Sequence, residues 1–78
     1  MKSKFSVGQV WETDGKGPQG AIRFTIIGPP EYANHSPKTW KRCRCEHVDP
    51  YWNERHPAFE QDYSHTHLKR YAKLVEEK

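Results

Sequence analysis

Cysteine and histidine side chains, the residues of this chain best suited to metal chemistry, occur in two short groups. The first group has the sequence CRCEH and the second has the sequence HTH. Zinc is held by four nitrogen or sulfur ligands in a tetrahedron. Structural zinc sites usually separate paired cysteines by two to four residues, so one intervening residue on an extended strand is a poor match. We therefore expect buried thiols, surface histidines and no metal or other cofactor. The side chains that would bind a metal under the alternative are Cys43, Cys45, His65 and His67.

Basic side chains surround a tryptophan in the middle of the chain. Basic groups neutralise phosphates and exposed rings stack on bases, so this pattern is typical of a nucleic-acid-binding surface. The formal net charge of +3 permits such a partner without requiring one. The same residues also suit an ordinary solvated surface, on which long basic side chains cover apolar neighbours. The candidate nucleic-acid-binding residues are Lys38, Trp40, Lys41, Arg42 and Arg44.

The segment 49–63 is unusually rich in rings for a connection between strands. Tryptophan, tyrosine and arginine dominate the energetic hot spots of protein interfaces, which indicates a protein-binding loop. The alternative is a structural role, in which Trp52 and Phe59 fold back as a lid over a core too small to close itself. The candidate partner-binding residues are Tyr51, Trp52, Arg55, Phe59 and Tyr63.

Catalysis is the function that the residues of this chain support least. Carboxylates at Asp49, Glu54, Glu60 and Asp62 could serve as acids and the histidines as bases, but no spacing pairs a nucleophile with its base. The glycine-containing segment 14–20 is not followed by a helix and lacks the Gly-Lys-Ser/Thr sequence of a phosphate-binding loop. We therefore expect that the chain is not an enzyme.

These side chains must be positioned by several short strands, since β-prone runs alternate with turn signals along the chain. We predict strands at Val7–Glu12, Ala21–Ile27, Trp40–Val48 and Tyr71–Val75, and a further short strand at Ala58–Tyr63. Alternation in the third strand places Cys43 and Cys45 inward and Arg42 and Arg44 outward. Segment 49–56 is predicted to be a loop. Ser64 is predicted to cap one helical turn over His65–Leu68.

Size and composition favour one small folded domain over residues 1–78. The aromatic content of 13% distinguishes the chain from disordered sequences, and a few large rings supply much of a small core. The ends, at 1–4 and 76–78, are expected to be mobile. No apolar stretch suits a signal peptide or a membrane span, so we expect a cytoplasmic protein with reduced thiols and no membrane contact.

Three pieces of the chain resemble SH3-like small barrels, in which a short helical turn precedes the last strand. The pieces are FSVGQVW at 5–11, RFTII at 23–27, and the segment 64–68 together with 74–75. They are also similar to small uncharacterised proteins of phages and other mobile elements, with a VGxVW opening and an SxxxL closing segment. The resemblance implies a binding protein without choosing its ligand.

We therefore predict an all-β protein, a small SH3-like barrel of four to five antiparallel strands with one short helical turn before the last strand. We expect it to act as a phage-type accessory or inhibitory protein that docks on a host or phage protein, or on a nucleoprotein machine, through the aromatic loop. The alternative is a small barrel that binds nucleic acid through its basic strand. The predicted core contains some of the tryptophans and Val7, Val10, Ile22, Phe24, Ile26, Cys43, Cys45, Leu68 and Leu74.

Overall fold

A computed structural model describes residues 5–77, which form five strands and two short helices. In chain order the elements are β1 (Val10–Glu12), β2 (Ile22–Gly28), β3 (Trp40–His47), α1 (Pro50–Arg55), β4 (Phe59–Ser64), α2 (His65–Tyr71) and β5 (Lys73–Glu76). The strands form one antiparallel sheet in the order β4-β3-β2-β1-β5. The prediction of a mostly β, antiparallel domain is confirmed. Within the described residues no ladder joins β4 to β5, so the sheet is open and is not closed into a barrel.

The first and last strands are shorter than predicted. A turn precedes β1, where the Gln9 N–H donates to the Ser6 carbonyl and Gly8 takes a φ of 96°, so the strand begins at Val10 instead of Val7. At the other end Tyr71 closes α2 and does not begin β5. Residues 1–4 and 78, which were expected to be mobile, lie outside the described residues. Glu76 is the last residue of β5.

The predicted loop at 49–56 contains a helix. Asp49 caps α1, since its carboxylate accepts a hydrogen bond from the Tyr51 N–H at 2.8 Å. Pro50 follows at the first helical position, where its missing N–H costs nothing. The prediction of a loop was wrong, because it relied on the rings and charges of the segment and did not take the Asp49-Pro50 pair as the start of a helix.

The predicted helical turn before the last strand is confirmed and is longer than expected. The Ser64 hydroxyl accepts a hydrogen bond from the His67 N–H at 3.1 Å, as predicted for a cap. The helix continues for seven residues to Tyr71 and buries Leu68. No helix within residues 5–77 is long and apolar enough to cross a membrane.

The core lies where β1, β2 and β3 face α2 and the segment before β1. It contains Phe5, Trp11, Phe24, Ile26, Cys43, Cys45, Leu68 and Ala72, with Ile22 and Tyr63 packed at its margin. Val10, also predicted to be buried, is 9% exposed. The sequence did not identify Phe5, which stacks on Trp11 with ring centroids 4.9 Å apart.

Two predicted core residues lie at the surface. Val7 is 61% exposed because it belongs to the turn before β1 and not to the strand itself. Leu74 is 39% exposed because β5 is an edge strand whose four residues are all exposed. Strand alternation alone does not distinguish a central strand from an edge strand.

The two leucines provide a test of the observed core. Leu68→Ala removes a side chain that is completely buried, and we expect the free energy of unfolding to fall by about 2 to 5 kcal/mol. Leu74→Ala is the matched control, with an expected loss of about 1 kcal/mol or less. Urea unfolding followed by circular dichroism measures both values. Equal losses in the two variants would contradict this core.

Candidate functional site

Helix α1 presents an exposed aromatic and cationic surface. We call the residues Tyr51, Trp52, Arg55, His56 and Phe59 the α1 surface. None of the residues of α1 is buried, and Tyr51 is 54% exposed. The Arg55 guanidinium lies 3.5 Å from the centre of the Tyr51 ring, and its Nη1 donates to the Tyr51 carbonyl at 2.9 Å. This contact holds the Arg55 cation over the Tyr51 ring in the unbound protein.

Trp52 joins the helix to the sheet. Its ring stacks on His56 with centroids 5.7 Å apart and lies 6.5 Å from the ring of His47 on β3. The half-buried Trp52 thus anchors α1, while Tyr51 on the same helix stays exposed. Of the two rings predicted to fold back as a lid, Trp52 is half-buried and Phe59 is exposed.

A cavity of about 280 Å³ opens beside the α1 surface. Its lining is mainly apolar and includes Ile22, Cys45, His47, His56, Pro57 and Phe59. Phe59, at the start of β4, is 53% exposed. The Nδ1 atom of His47 is buried and has no hydrogen-bond partner among the described residues. A mainly apolar cavity of this size suits an apolar side chain.

Tyr63 does not belong to this surface, although the sequence grouped it there. It lies four residues beyond Phe59 on β4 and packs edge-on against Phe24, with ring centroids 4.9 Å apart. Burial, followed by a hydrogen bond with the Cys45 thiol, raises the pKa of Tyr63 above its ordinary value. Of the five predicted partner-binding residues, Tyr51, Trp52 and Arg55 lie together on α1. Phe59 lines the cavity with His56, and Tyr63 lies at the margin of the core.

A buried carboxylate, Asp62, is the polar centre on the other side of β3. The side chain is inaccessible to solvent and accepts hydrogen bonds from the backbone N–H groups of Glu31 and Tyr32, each at 3.0 Å. His35 Nδ1 lies 2.8 Å away and Arg42 Nη1 lies 3.1 Å away. Burial acts to raise the pKa of Asp62, but these groups together hold it well below its ordinary value.

The sequence placed Asp62 only among scattered carboxylates and did not identify this role. Its partners Glu31 and Tyr32 are about 30 residues away along the chain and contribute only backbone atoms. One available signal was the polar connection 31–38, whose backbone donors need acceptors outside a regular strand.

Arg42, a candidate for nucleic-acid contact, faces carboxylates within its own chain. Besides Asp62, it lies 3.0 Å from Glu31 and 3.8 Å from Glu60. Its side chain is only 20% exposed. A phosphate approaching Arg42 would have to displace these groups or tolerate their negative charge.

The other basic-strand candidates are divided between exposed and occupied positions. Lys41 Nζ donates to the Pro37 carbonyl at 2.5 Å and lies 3.2 Å from His65 Nε2, and burial lowers the pKa of Lys41. His35 stacks on Trp40 with centroids 3.8 Å apart and covers a face that a base would need. Lys38 and Arg44 are exposed.

The predicted metal candidates lie in separate environments. Cys43 and Cys45 are buried unpaired thiols that face inward as predicted. His65 stacks on Phe5, and His67 lies beside Tyr71. Burial, followed by the positive charge of Lys41, lowers the pKa of His65. Across residues 5–77, no group of three or more histidine, cysteine or acidic side chains is arranged to hold a metal.

The buried thiols generate a prediction of low reactivity. Burial, with the nearby Cys45 and Asp62, raises the pKa of Cys43 to about 12, and burial also raises the pKa of Cys45. Since the thiolate is the reactive form, we expect both thiols to react with a disulfide reagent at pH 8 at least about a hundredfold more slowly than in urea. Spectrophotometric titration measures the rates. Equally fast reaction in the native protein would show that the thiols are accessible.

Asp62→Asn tests the buried carboxylate. We expect the free energy of unfolding at pH 7 to fall by about 1 to 3 kcal/mol, because an amide cannot replace both acceptor oxygens. Because the folded state lowers the pKa of Asp62 from 3.8, its contribution is complete above that value and is lost as pH falls towards the folded pKa. The variant should therefore lose less stability than the wild type between pH 4 and pH 2.

Asp14→Asn is the control, since Asp14 is exposed and accepts a hydrogen bond only locally, from the Lys16 N–H. Chemical denaturation at several pH values measures both variants. A control that changes the acid dependence as much as Asp62→Asn would contradict the special role of Asp62.

Comparisons with known proteins do not assign the chain to a family. No family model, no curated protein and no solved structure matches it.

Proposed function

We propose that this chain is a non-enzymatic binding protein that docks on a protein partner through the α1 surface. The observation that carries the proposal is the set of exposed rings beside a mainly apolar cavity. Tyr51 and Phe59 are each more than half exposed. Exposing two large rings to water is unfavourable for an isolated domain, and such rings are typical anchors of protein interfaces.

The cavity beside the helix indicates how a partner would bind. An apolar side chain of the partner enters between His56, Pro57 and Phe59. The Arg55–Tyr51 pair then forms the rim, where a cation and an aromatic face remain available for polar contacts.

We also propose that the fold is an SH3-like small barrel that is open between its edge strands. The strand order β4-β3-β2-β1-β5 and the helix directly before β5 support this assignment. A role as a phage-type accessory or inhibitory protein in the cytoplasm, acting on a host protein or nucleoprotein machine, is part of the same proposal.

Nucleic-acid binding is the alternative function and has weaker support from the geometry. The carboxylates around Arg42 and the histidine on Trp40 oppose it. The exposed side chains of Lys38 and Arg44 favour it, together with the basic residues Lys69 and Arg70 in the last turn of α2. Binding of this kind would weaken steeply with salt, because it depends on the release of counterions.

Two double variants, each of which removes two aromatic rings, distinguish protein binding from nucleic-acid binding. Tyr51→Ala with Phe59→Ala removes the two exposed rings of the α1 surface. Tyr32→Ala with Tyr71→Ala is the matched control, since those rings are 59% and 57% exposed elsewhere. Each protein is used to capture partners from host lysate with and without nuclease treatment, and the affinity for the captured protein is then measured by calorimetry.

We expect the α1-surface variant to bind the captured protein at least about tenfold more weakly and the control to bind normally. Circular dichroism confirms that both variants are folded. Equal losses in the two variants would contradict the α1 surface as the site. Capture that disappears with nuclease and with high salt would favour the nucleic-acid alternative.

A further inference from the structure

Strand β5 is an exposed sheet edge with apolar side chains. All four of its residues are exposed, and Leu74 and Val75 are 39% and 53% accessible. One edge of β5 pairs with β1, and no strand in residues 5–77 pairs with the other edge. An unpaired edge with apolar side chains is a template for another strand.

The opposite edge, at β4, is protected in ways that β5 is not. Asp62 binds the backbone of the connection between β2 and β3 and thereby holds that connection against β4. The guanidinium of Arg42 donates to the Glu60 carbonyl at 3.2 Å. A covering segment is a usual means of blocking an edge. Because β5 also carries charged side chains, at Lys73 and Glu76, the covering connection is the feature that distinguishes the two edges. Of the two sheet edges, β5 is therefore the one open to pairing.

The sequence around β5 is complementary to itself in one register. In a two-fold symmetric antiparallel pair, one residue faces its own copy, and residues at equal distances on either side face each other. With Val75 on the axis, Lys73 faces Glu77, the residue after β5, of the second copy on one face of the sheet. On the other face Leu74 faces Glu76. Opposite charges at facing positions stabilise a strand pair.

The neighbouring symmetric register lacks this complementarity. With Leu74 on the axis, Lys73 faces Val75, and Ala72 faces Glu76. No opposite charges then meet, and each lysine lies opposite an apolar side chain. Registers in which Lys73 faces Glu76 are excluded for a regular symmetric pair, because those two residues point to opposite faces of the strand.

We propose that a second copy of this chain binds at β5 in the register centred on Val75, which joins two five-stranded sheets across a two-fold axis. The two Val75 side chains meet at the axis, flanked on each side by a Lys73–Glu77 pair. The contact is short, so the dimer is weak and depends on protein concentration. It shares no residue with the α1 surface, which extends from α1 to the first residue of β4.

Sedimentation velocity of the purified, nuclease-treated protein at low salt, up to millimolar concentration, tests the dimer. We expect a reversible shift from monomer to dimer that Val75→Lys abolishes, because two lysines would then meet at the axis. Val7→Lys is the matched control, since Val7 is 61% exposed outside the strands. A wild type that stays monomeric, or one that grows into larger assemblies, would overturn the proposal, as would a dimer that survives Val75→Lys.

Charge exchange tests the register without depending on the apolar contact. Lys73→Glu alone and Glu77→Lys alone each place like charges opposite one another, and each should dimerise about tenfold more weakly than the wild type. Mixing the two variants restores both attractive pairs, so the mixture should dimerise as well as the wild type. A mixture no stronger than its components would show that Lys73 and Glu77 do not meet. Circular dichroism of each variant excludes unfolding as the cause.

Discussion

A buried negative charge, held by donors from two separate parts of the chain, is the constraint on which the rest of this domain depends. A carboxylate without water must be fully hydrogen-bonded, or the folded state loses the free energy of its hydration. Asp62 meets this condition with the backbone of the β2–β3 connection, with His35 and with Arg42 on β3. Strand β4, strand β3 and the longest connection of the domain are therefore fixed relative to one another by one side chain.

The parts of the fold best predicted from the sequence are those in which apolar and polar residues alternate regularly. Strands β2 and β3 were predicted nearly at their observed bounds, because alternation over seven or eight residues gives a clear period. The inward positions of Cys43 and Cys45 follow from the same alternation. Helix α1 was missed because six residues show too little periodicity. Asp62 was not assigned its role, because hydrogen bonds from the backbone N–H groups of Glu31 and Tyr32 do not require particular residue types at those positions.

The residue types of the candidate site were predictable from the sequence, but the arrangement of their side chains was not. Aromatic residues between 49 and 63 indicated a contact surface, and three of the five chosen side chains lie together on α1, while a fourth, Phe59, lines the neighbouring cavity. The fifth, Tyr63, follows the strand away from the helix and joins the core margin. A domain of this size has little interior, so several of its large side chains must lie at the surface whatever their role. Composition alone therefore overstates the number of binding residues.

The attachment of the β2–β3 connection has a consequence for how this protein can change over time. Glu31 and Tyr32 contact Asp62 through N–H groups that every amino acid except proline possesses. These two hydrogen bonds therefore do not depend on the residue types at positions 31 and 32, although the Glu31 carboxylate separately pairs with Arg42. The exposed residues 33 and 34 that follow form a natural place for insertions or for a grafted recognition peptide.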